Sequence, residues 1–142
     1  MKIRVINSRE EISRLNPKER VVHVSFPLTT SALLWLAKRC PNLKGIQVPP
    51  SRLAKMWDRS LILLEVLGVR IFEGSIQGYR SDRDEYITID DSRIRQRAGE
   101  LRADGLGAEE IVAKVAAEAG VSAGLVGFIV GSRDHSSAGA KK

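Results

Sequence analysis

The sequence has few residues of the kinds that carry redox, metal or catalytic chemistry. Its 142 residues include one cysteine, Cys40, and two histidines, His23 and His135. A single cysteine excludes a disulfide within the chain and a zinc site built from cysteine pairs. His23 stands between two valines, which is typical of a histidine packed on a sheet, and His135 stands near the C-terminus. We therefore expect no metal site.

Long hydrophobic runs are also absent. The most apolar windows, residues 32–37 and 61–67, are far shorter than the roughly 20 residues that a membrane-spanning helix requires. The N-terminal segment MKIRVINSREE has neither the apolar core nor the cleavage site of a secretory signal. The sequence therefore predicts no membrane association and a cytoplasmic location.

No motif for catalysis or phosphate transfer stands out. The sequence contains neither the glycine-rich dinucleotide fingerprint nor a P-loop. Carboxylates occur in pairs, such as Glu10-Glu11 and Asp90-Asp91, but these pairs stand where helices are predicted to begin, and acidic residues there favour the helix dipole. We therefore expect a protein that is not an enzyme and that needs no cofactor.

The first ninety residues show short β-branched runs separated by helical patterns. Such alternation predicts parallel strands joined by helical crossovers. Ser8 with Glu11 predicts a capping box, Thr29 or Thr30 opens a second helix, and Ser51 opens a third that ends at Gly68. The predicted fold class is α/β, with a domain over residues 1–90 that holds a small open parallel sheet of about four strands. The runs are 3–6, 21–24, 45–48 and 69–72, and 86–89 suits an added edge strand.

The second part of the chain predicts three short helices. The first opens at Asp91 or Ser92 and stops at Gly105, and the second covers about 108–118. A turn at Gly120-Val121 follows, with Ser122 capping a third helix that runs through Val130. This order predicts a helix-turn-helix-like domain over residues 91–134, followed by a disordered tail over 135–142.

Four arginines of the first of these helices are candidate phosphate ligands: Arg93, Arg95, Arg97 and Arg102. An equally weighted alternative is a solvated helix face paired with Glu100 and Asp104. Ser122 and Arg133 are predicted to lie nearest the DNA groove. The last helix has no Arg, Lys, Asn or Gln before Arg133, so it lacks side chains that read base edges.

The last helix also carries a series of small residues, Gly124, Gly127 and Gly131. Small residues on one face let another helix approach closely, which predicts a homodimer or interdomain contact through this face. A small-ligand site is a further alternative, because open parallel sheets bind ligands beyond the carboxyl ends of their strands. Polar residues at those predicted ends include Asn7, Ser8, Ser25, Thr29, Ser51 and Ser75.

Positive charge is concentrated away from the predicted helix-turn-helix. Residues 1–80 contain 14 Lys/Arg and 6 Asp/Glu, whereas residues 81–142 contain 9 and 11, within a chain of net charge +6. A basic chain favours a polyanionic partner. The sequence leaves open whether the basic half or the helical half holds a nucleic-acid surface.

Two resemblances bear on function. The segments KIRVINSREEISRLNP, CPNLKGIQVPPS and EGSIQGYRSDRDEY resemble a small family of uncharacterised archaeal proteins, found mainly in methanogens, one member of which is proposed to regulate methanogenesis genes. The segment GAEEIVAKVAAEAGVSAGLVGFIV resembles helix-turn-helix families whose core reads AEEIA…GVS…V, with an interval before the turn about one helical turn longer. The resemblances imply a DNA-binding transcription regulator, set in archaeal energy metabolism. The alternative is a protein-interaction or small-ligand-binding module without nucleic-acid binding.

Overall fold

The computed structural model describes residues 1–75 and 85–136, with side chains through residue 131. The chain divides into two compact units. One comprises residues 2–89 and is called the α/β unit below. The other comprises Met1 with residues 90–142 and is called the helical unit.

The α/β unit contains a five-stranded, mostly parallel sheet. Its strands follow the order β4-β3-β2-β1-β5, with β1 to β4 parallel to their neighbours and β5 antiparallel to β1. The predicted α/β class with a small open sheet is therefore confirmed, and β5 is the edge strand that the 86–89 run suggested. The strands are β1 (Lys2–Ile6), β2 (Val21–Val24), β3 (Gly45–Val48), β4 (Arg70–Glu73) and β5 (Tyr86–Thr88).

One face of the sheet packs against the helices of this unit. Alternate residues of each strand share a face. On this face the residues of the central strands β2 and β3 are aliphatic, whereas Arg4 of β1 pairs in register with Tyr86 of the edge strand β5. Burying each large aliphatic side chain contributes about 1.5–3 kcal/mol. The core includes Ile6, Val22, Val24, Ile46 and Val48 of the strands, with Leu33, Leu36 and Leu64 of the helices.

The helices of the α/β unit begin and end at residues with a physical reason to be there. α1 spans Thr30–Arg39, and the Thr29 hydroxyl accepts a hydrogen bond from the Ala32 amide at 3.2 Å. The predicted capping box at Ser8 is wrong in form. Ser8 makes no side-chain cap, and the segment Arg9–Arg14 is a 3-10 helix in which the Glu11 carboxylate accepts from the Asn7 amide at 2.9 Å.

The prediction of a single helix from Ser51 to Gly68 is also wrong. The chain forms α2 over Pro50–Ala54 and α3 over Asp58–Leu67. Between them Trp57 has an extended backbone, with φ −74° and ψ 147°, which interrupts the helical path. Gly68 does close α3 in the left-handed conformation, with φ 74°. Side chains on both sides of the interruption pack on the same core: Leu53, Met56, Leu61 and Leu64.

The helical unit contains α4 (Asp91–Ala103), α5 (Ala108–Ala119) and α6 (Ala123–Ser136). The cap of α4 is Asp90, one residue earlier than predicted, because its carboxylate accepts from the Arg93 amide at 3.2 Å. α6 continues past the predicted end at Val130, and residues 137–142 of the predicted tail lie outside the described residues. The buried residues of the three helices are Ile94, Ala98, Leu101, Ile111, Val115, Ala116, Leu125, Val126, Phe128 and Ile129.

The junction between α5 and α6 is short and sharply bent. Gly120 ends α5 with φ 71°, and the Ser122 hydroxyl accepts from the Leu125 amide at 3.0 Å, as its predicted capping role requires. The two helices, taken to Gly131, are bent by 117° at this break. Among the described residues no single helix is long and apolar enough to cross a membrane, and the bent α5–α6 pair passes that test only by combined length and composition.

Candidate nucleic-acid interface and strand-end cavity

The four candidate arginines of α4 lie on two sides of the helix. Positions nine residues apart, such as Arg93 and Arg102, face about 180° apart around a helix axis. Arg93 and Arg97 share one side, where both line an open depression with Gln96. Arg95 lies on the side of Arg102, across the buried stripe of the helix. The structure therefore brings these arginines together in two pairs and not in one cluster.

One arginine of each pair already has a carboxylate partner. Arg97 donates to Glu118 of α5 at 2.9 Å and to Glu100 at 3.0 Å. These hydrogen bonds raise the pKa of the Arg97 guanidinium, and the same bond from Arg97 holds the pKa of Glu118 below its usual value. Arg95 donates to Asp91 one turn earlier. Both charges are thus partly neutralised.

Arg93 and Arg102 remain exposed. Neither forms an ion pair within residues 1–75 and 85–136. One available cation therefore stands on each side of α4. Each suits a single phosphate contact, which supplies affinity and register without sequence information.

The outer face of α6 is smooth. Ala123 is exposed, Gly124, Gly127 and Gly131 are partly exposed, and the segment from Ala123 to Gly131 contains no polar residue. A methyl group added at Gly127 would meet nothing within 4 Å in the described structure. Ser122 lies at the start of this helix with its hydroxyl engaged in the cap, and the side chain of Arg133 lies outside the described residues. Between Ala123 and Gly131 this face therefore allows close approach of another surface but has no side chain that could hydrogen-bond to base edges.

The α/β unit holds a cavity of about 390 Å³ beyond the carboxyl ends of β2 and β3, called the strand-end cavity below. Two chain segments line it: one follows β2 into the start of α1, and the other follows β3 through α2 to the start of α3. Thr29, among the predicted strand-end residues, lines it, whereas Ser25 instead donates to Asn7 at 2.9 Å. The lining residues are Pro27, Leu28, Thr29, Thr30, Ser31, Val48, Arg52, Lys55, Met56, Trp57, Arg59 and Ser60.

The cations of this cavity were not among the predicted site residues. Arg52, Lys55 and Arg59 follow one another at spacings of three and four with Trp57 between them. That spacing is a helical periodicity, and it is the sequence pattern that could have predicted a shared position for these three cations. The pattern did not indicate a cavity, because the whole segment is predicted as one continuous amphipathic helix.

His23 lies in the sheet, fully buried, on the face opposite the aliphatic core. Its Nδ1 atom lies 2.8 Å from Nε2 of Gln47 on the neighbouring strand. Burial lowers the pKa of His23 to about 4, because a charged imidazole loses hydration there. The ring is therefore neutral at physiological pH, which fits the predicted packing role.

These features define a mostly parallel α/β protein with a C-terminal helical unit and no described cluster of metal-ligating side chains in residues 1–75 and 85–136. A protein-family model, the N-terminal domain of a family of unknown function (DUF1699), matches residues 2–85. The chain belongs to this family, and the expectation of an uncharacterised family over the first ninety residues is confirmed at that level. No curated protein and no solved structure matches the chain.

Proposed function

We propose that the protein is a DNA-binding regulator whose helical unit docks on duplex DNA. The observation that carries the proposal is the 117° bend between α5 and α6 across a three-residue turn closed by Gly120 in the left-handed conformation. Helix-turn-helix motifs join two helices at about 90–120° through a turn of three or four residues. In that arrangement α6 occupies the place of the helix that enters the major groove.

The charges and surfaces of the helical unit favour contacts to the DNA backbone. The smooth face of α6 allows close approach, and Arg93 and Arg102 supply one available cation on each side of α4. Hydrogen bonds to base edges discriminate sequences, and the part of α6 with described side chains, Ala123 to Gly131, has no polar side chain to form them. We therefore expect shape- and phosphate-directed binding with little sequence discrimination by this unit alone.

The regulatory role rests on the resemblance to an uncharacterised archaeal family, one member of which is proposed to regulate methanogenesis genes. Duplex binding rests on the helical geometry. The competing proposal is a homodimer in which Gly124, Gly127 and Gly131 of two copies pack together. The open space at Gly127 favours such an approach. Packing of two copies through these glycines does not involve the arginines of α4. The two proposals therefore respond to different substitutions.

Fluorescence anisotropy of a labelled duplex, titrated with the full chain over a series of NaCl concentrations, tests the proposal. The variant Arg93→Ala/Arg102→Ala is expected to bind more weakly and to reduce the slope of log affinity against log salt by about 2, since each phosphate contact contributes about 0.9. The control is Lys38→Ala/Lys44→Ala, which removes the same charge from exposed positions of the α/β unit.

An equal loss in the lysine control would overturn the assignment and place the nucleic-acid surface on the basic half. Absence of binding by the unaltered chain at low salt would favour the interaction module. Gly127→Leu provides the matching test of that alternative. It should abolish a dimer seen in sedimentation, and it should leave the salt slope unchanged.

A further inference from the structure

The strand-end cavity is surrounded by charge of one sign. Arg52, Lys55 and Arg59 line it, and within the described residues no Asp or Glu does. None of these three cations forms an ion pair with a carboxylate in residues 1–75 and 85–136. Unpaired cations around a concave surface attract anions, because low-dielectric walls concentrate their field.

Hydroxyl groups at the cavity add hydrogen-bond donors. Oγ1 of Thr30 and Oγ of Ser60 lie 3.1 Å apart, and Ser60 is buried with 3% of its surface exposed. Two hydroxyls carry two protons, and their mutual hydrogen bond uses one. The second proton is left to donate to an oxygen acceptor in the cavity.

The rest of the lining is apolar and includes a large exposed ring. Trp57 keeps 67% of its surface exposed, although Leu28, Val48 and Met56 line the same cavity. The Arg59 guanidinium lies 5.3 Å from the centre of the Trp57 ring, so charge and aromatic surface are presented side by side. An exposed indole next to a cation offers a stacking surface for a planar ring attached to an anion.

We propose that the strand-end cavity binds a small organic phosphate that carries a planar ring. Arg52, Lys55 and Arg59 hold the phosphate, and Trp57 and Met56 contact the ring. This site lies in the α/β unit and goes beyond duplex binding by the helical unit. The proposal gives the family domain over residues 2–85 a class of ligand, small organic phosphates.

Charge and size favour this class over its neighbours. A phosphate dianion would neutralise two of the three positive charges, whereas one carboxylate would neutralise only one. A volume of about 390 Å³ falls in the usual range for small-molecule sites, about 300–1,000 Å³. The position beyond the carboxyl ends of parallel strands is the one that open α/β sheets use for ligands.

Isothermal titration calorimetry of the full chain tests the proposal with phenyl phosphate and adenosine monophosphate as probes. At least one of them should bind about tenfold or more tightly than inorganic phosphate, which has no ring, and than benzoate, which has no phosphate. Arg52→Ala/Arg59→Ala should weaken that binding about tenfold or more. Trp57→Ala should reduce it to the level of inorganic phosphate.

The control Lys38→Ala/Lys44→Ala removes two charges elsewhere in the same unit and should leave the affinity unchanged. Circular dichroism and thermal unfolding verify that each variant is folded. Failure of both probes to bind would overturn the proposal, as would benzoate binding equally well or the lysine control losing as much affinity. A single-stranded oligonucleotide that binds more tightly than the mononucleotide, through Trp57, would instead identify a nucleic-acid groove. Duplex binding is measured with other variants, so the two proposals fail separately.

Discussion

His23 and Gln47 form a buried polar pair in the sheet, and Gly74 lies beside the Gln47 side chain. Gln47 lies 2% exposed and hydrogen-bonds His23. A methyl group at Gly74 would come within 2.4 Å of the Gln47 side chain, so glycine leaves the room that this amide occupies. The Nε2 atom of His23 has no partner among the described residues. Burial without a charged partner therefore decides the protonation state of this histidine.

The stability of the protein should fall between pH 7 and pH 4 because of His23. Its pKa is about 4 in the folded chain and about 6.5 in an unfolded chain, so the unfolded state binds more protons between these values. Stability therefore rises with pH across this window and is lost as pH falls, by about 3 kcal/mol from this group. Urea unfolding at a series of pH values should show a weaker pH dependence in His23→Gln. An unchanged dependence would mean that His23 is not the titrating group.

The arginines of α4 were predicted as a basic segment, but their ion-pair partners on another helix were not. Their types and their closeness in sequence are plain, and they predict a basic segment. Helical geometry then divides them, as a strict use of about 100° per residue would have indicated. The pairing of Arg97 with Glu118, 21 residues away on α5, depends on how the helices pack. No local pattern predicts that contact.

At the level of elements, strands were more predictable than helix boundaries. The β-branched runs marked β2 and β3 at the residues observed, because such side chains fit a pleated buried surface. The interruption between α2 and α3 was missed, since neither Gly nor Pro marks Trp57 as a break. The consequence extends to function, because that interrupted segment supplies the cations of the strand-end cavity.

Two glycines of the helical unit should respond to alanine in opposite ways. Gly99 lies inside α4 and Gly120 has φ 71°, yet a methyl group would meet nothing within 4 Å at either position in the described structure. Gly99→Ala should stabilise by about 0.5–1 kcal/mol through helix propensity. Gly120→Ala should destabilise by about 1–2 kcal/mol, since a side chain strains the left-handed conformation. Urea unfolding measures both, and a change of the same sign in both would contradict this account of the turn.

The whole molecule carries its positive charge unevenly. The excess of Lys and Arg lies in residues 1–80, whereas acidic residues outnumber basic ones in residues 81–142. Composition predicted a polyanionic partner, whereas the pairing of each cation with a carboxylate depends on how the elements pack. Within residues 1–75 and 85–136, cations without an ion-pair partner occur around the cavity of the α/β unit and, singly, on each side of α4. The excess of positive charge also affects stability, because like charges within the folded chain repel one another.

We expect the thermal midpoint of unfolding to rise when NaCl is increased from about 10 mM to about 150 mM. Over that range the Debye length falls from about 30 Å to about 8 Å, which screens the long-range repulsion of a chain with net charge +6. The ion pairs of Arg97 join atoms about 3 Å apart and contribute little at exposed positions, so their loss is the smaller effect. Differential scanning calorimetry measures the shift. The variant Lys38→Glu/Lys44→Glu reverses two exposed charges of the basic half, so its thermal midpoint should rise less with salt. A midpoint of the unaltered chain that falls with salt would show that the ion pairs dominate.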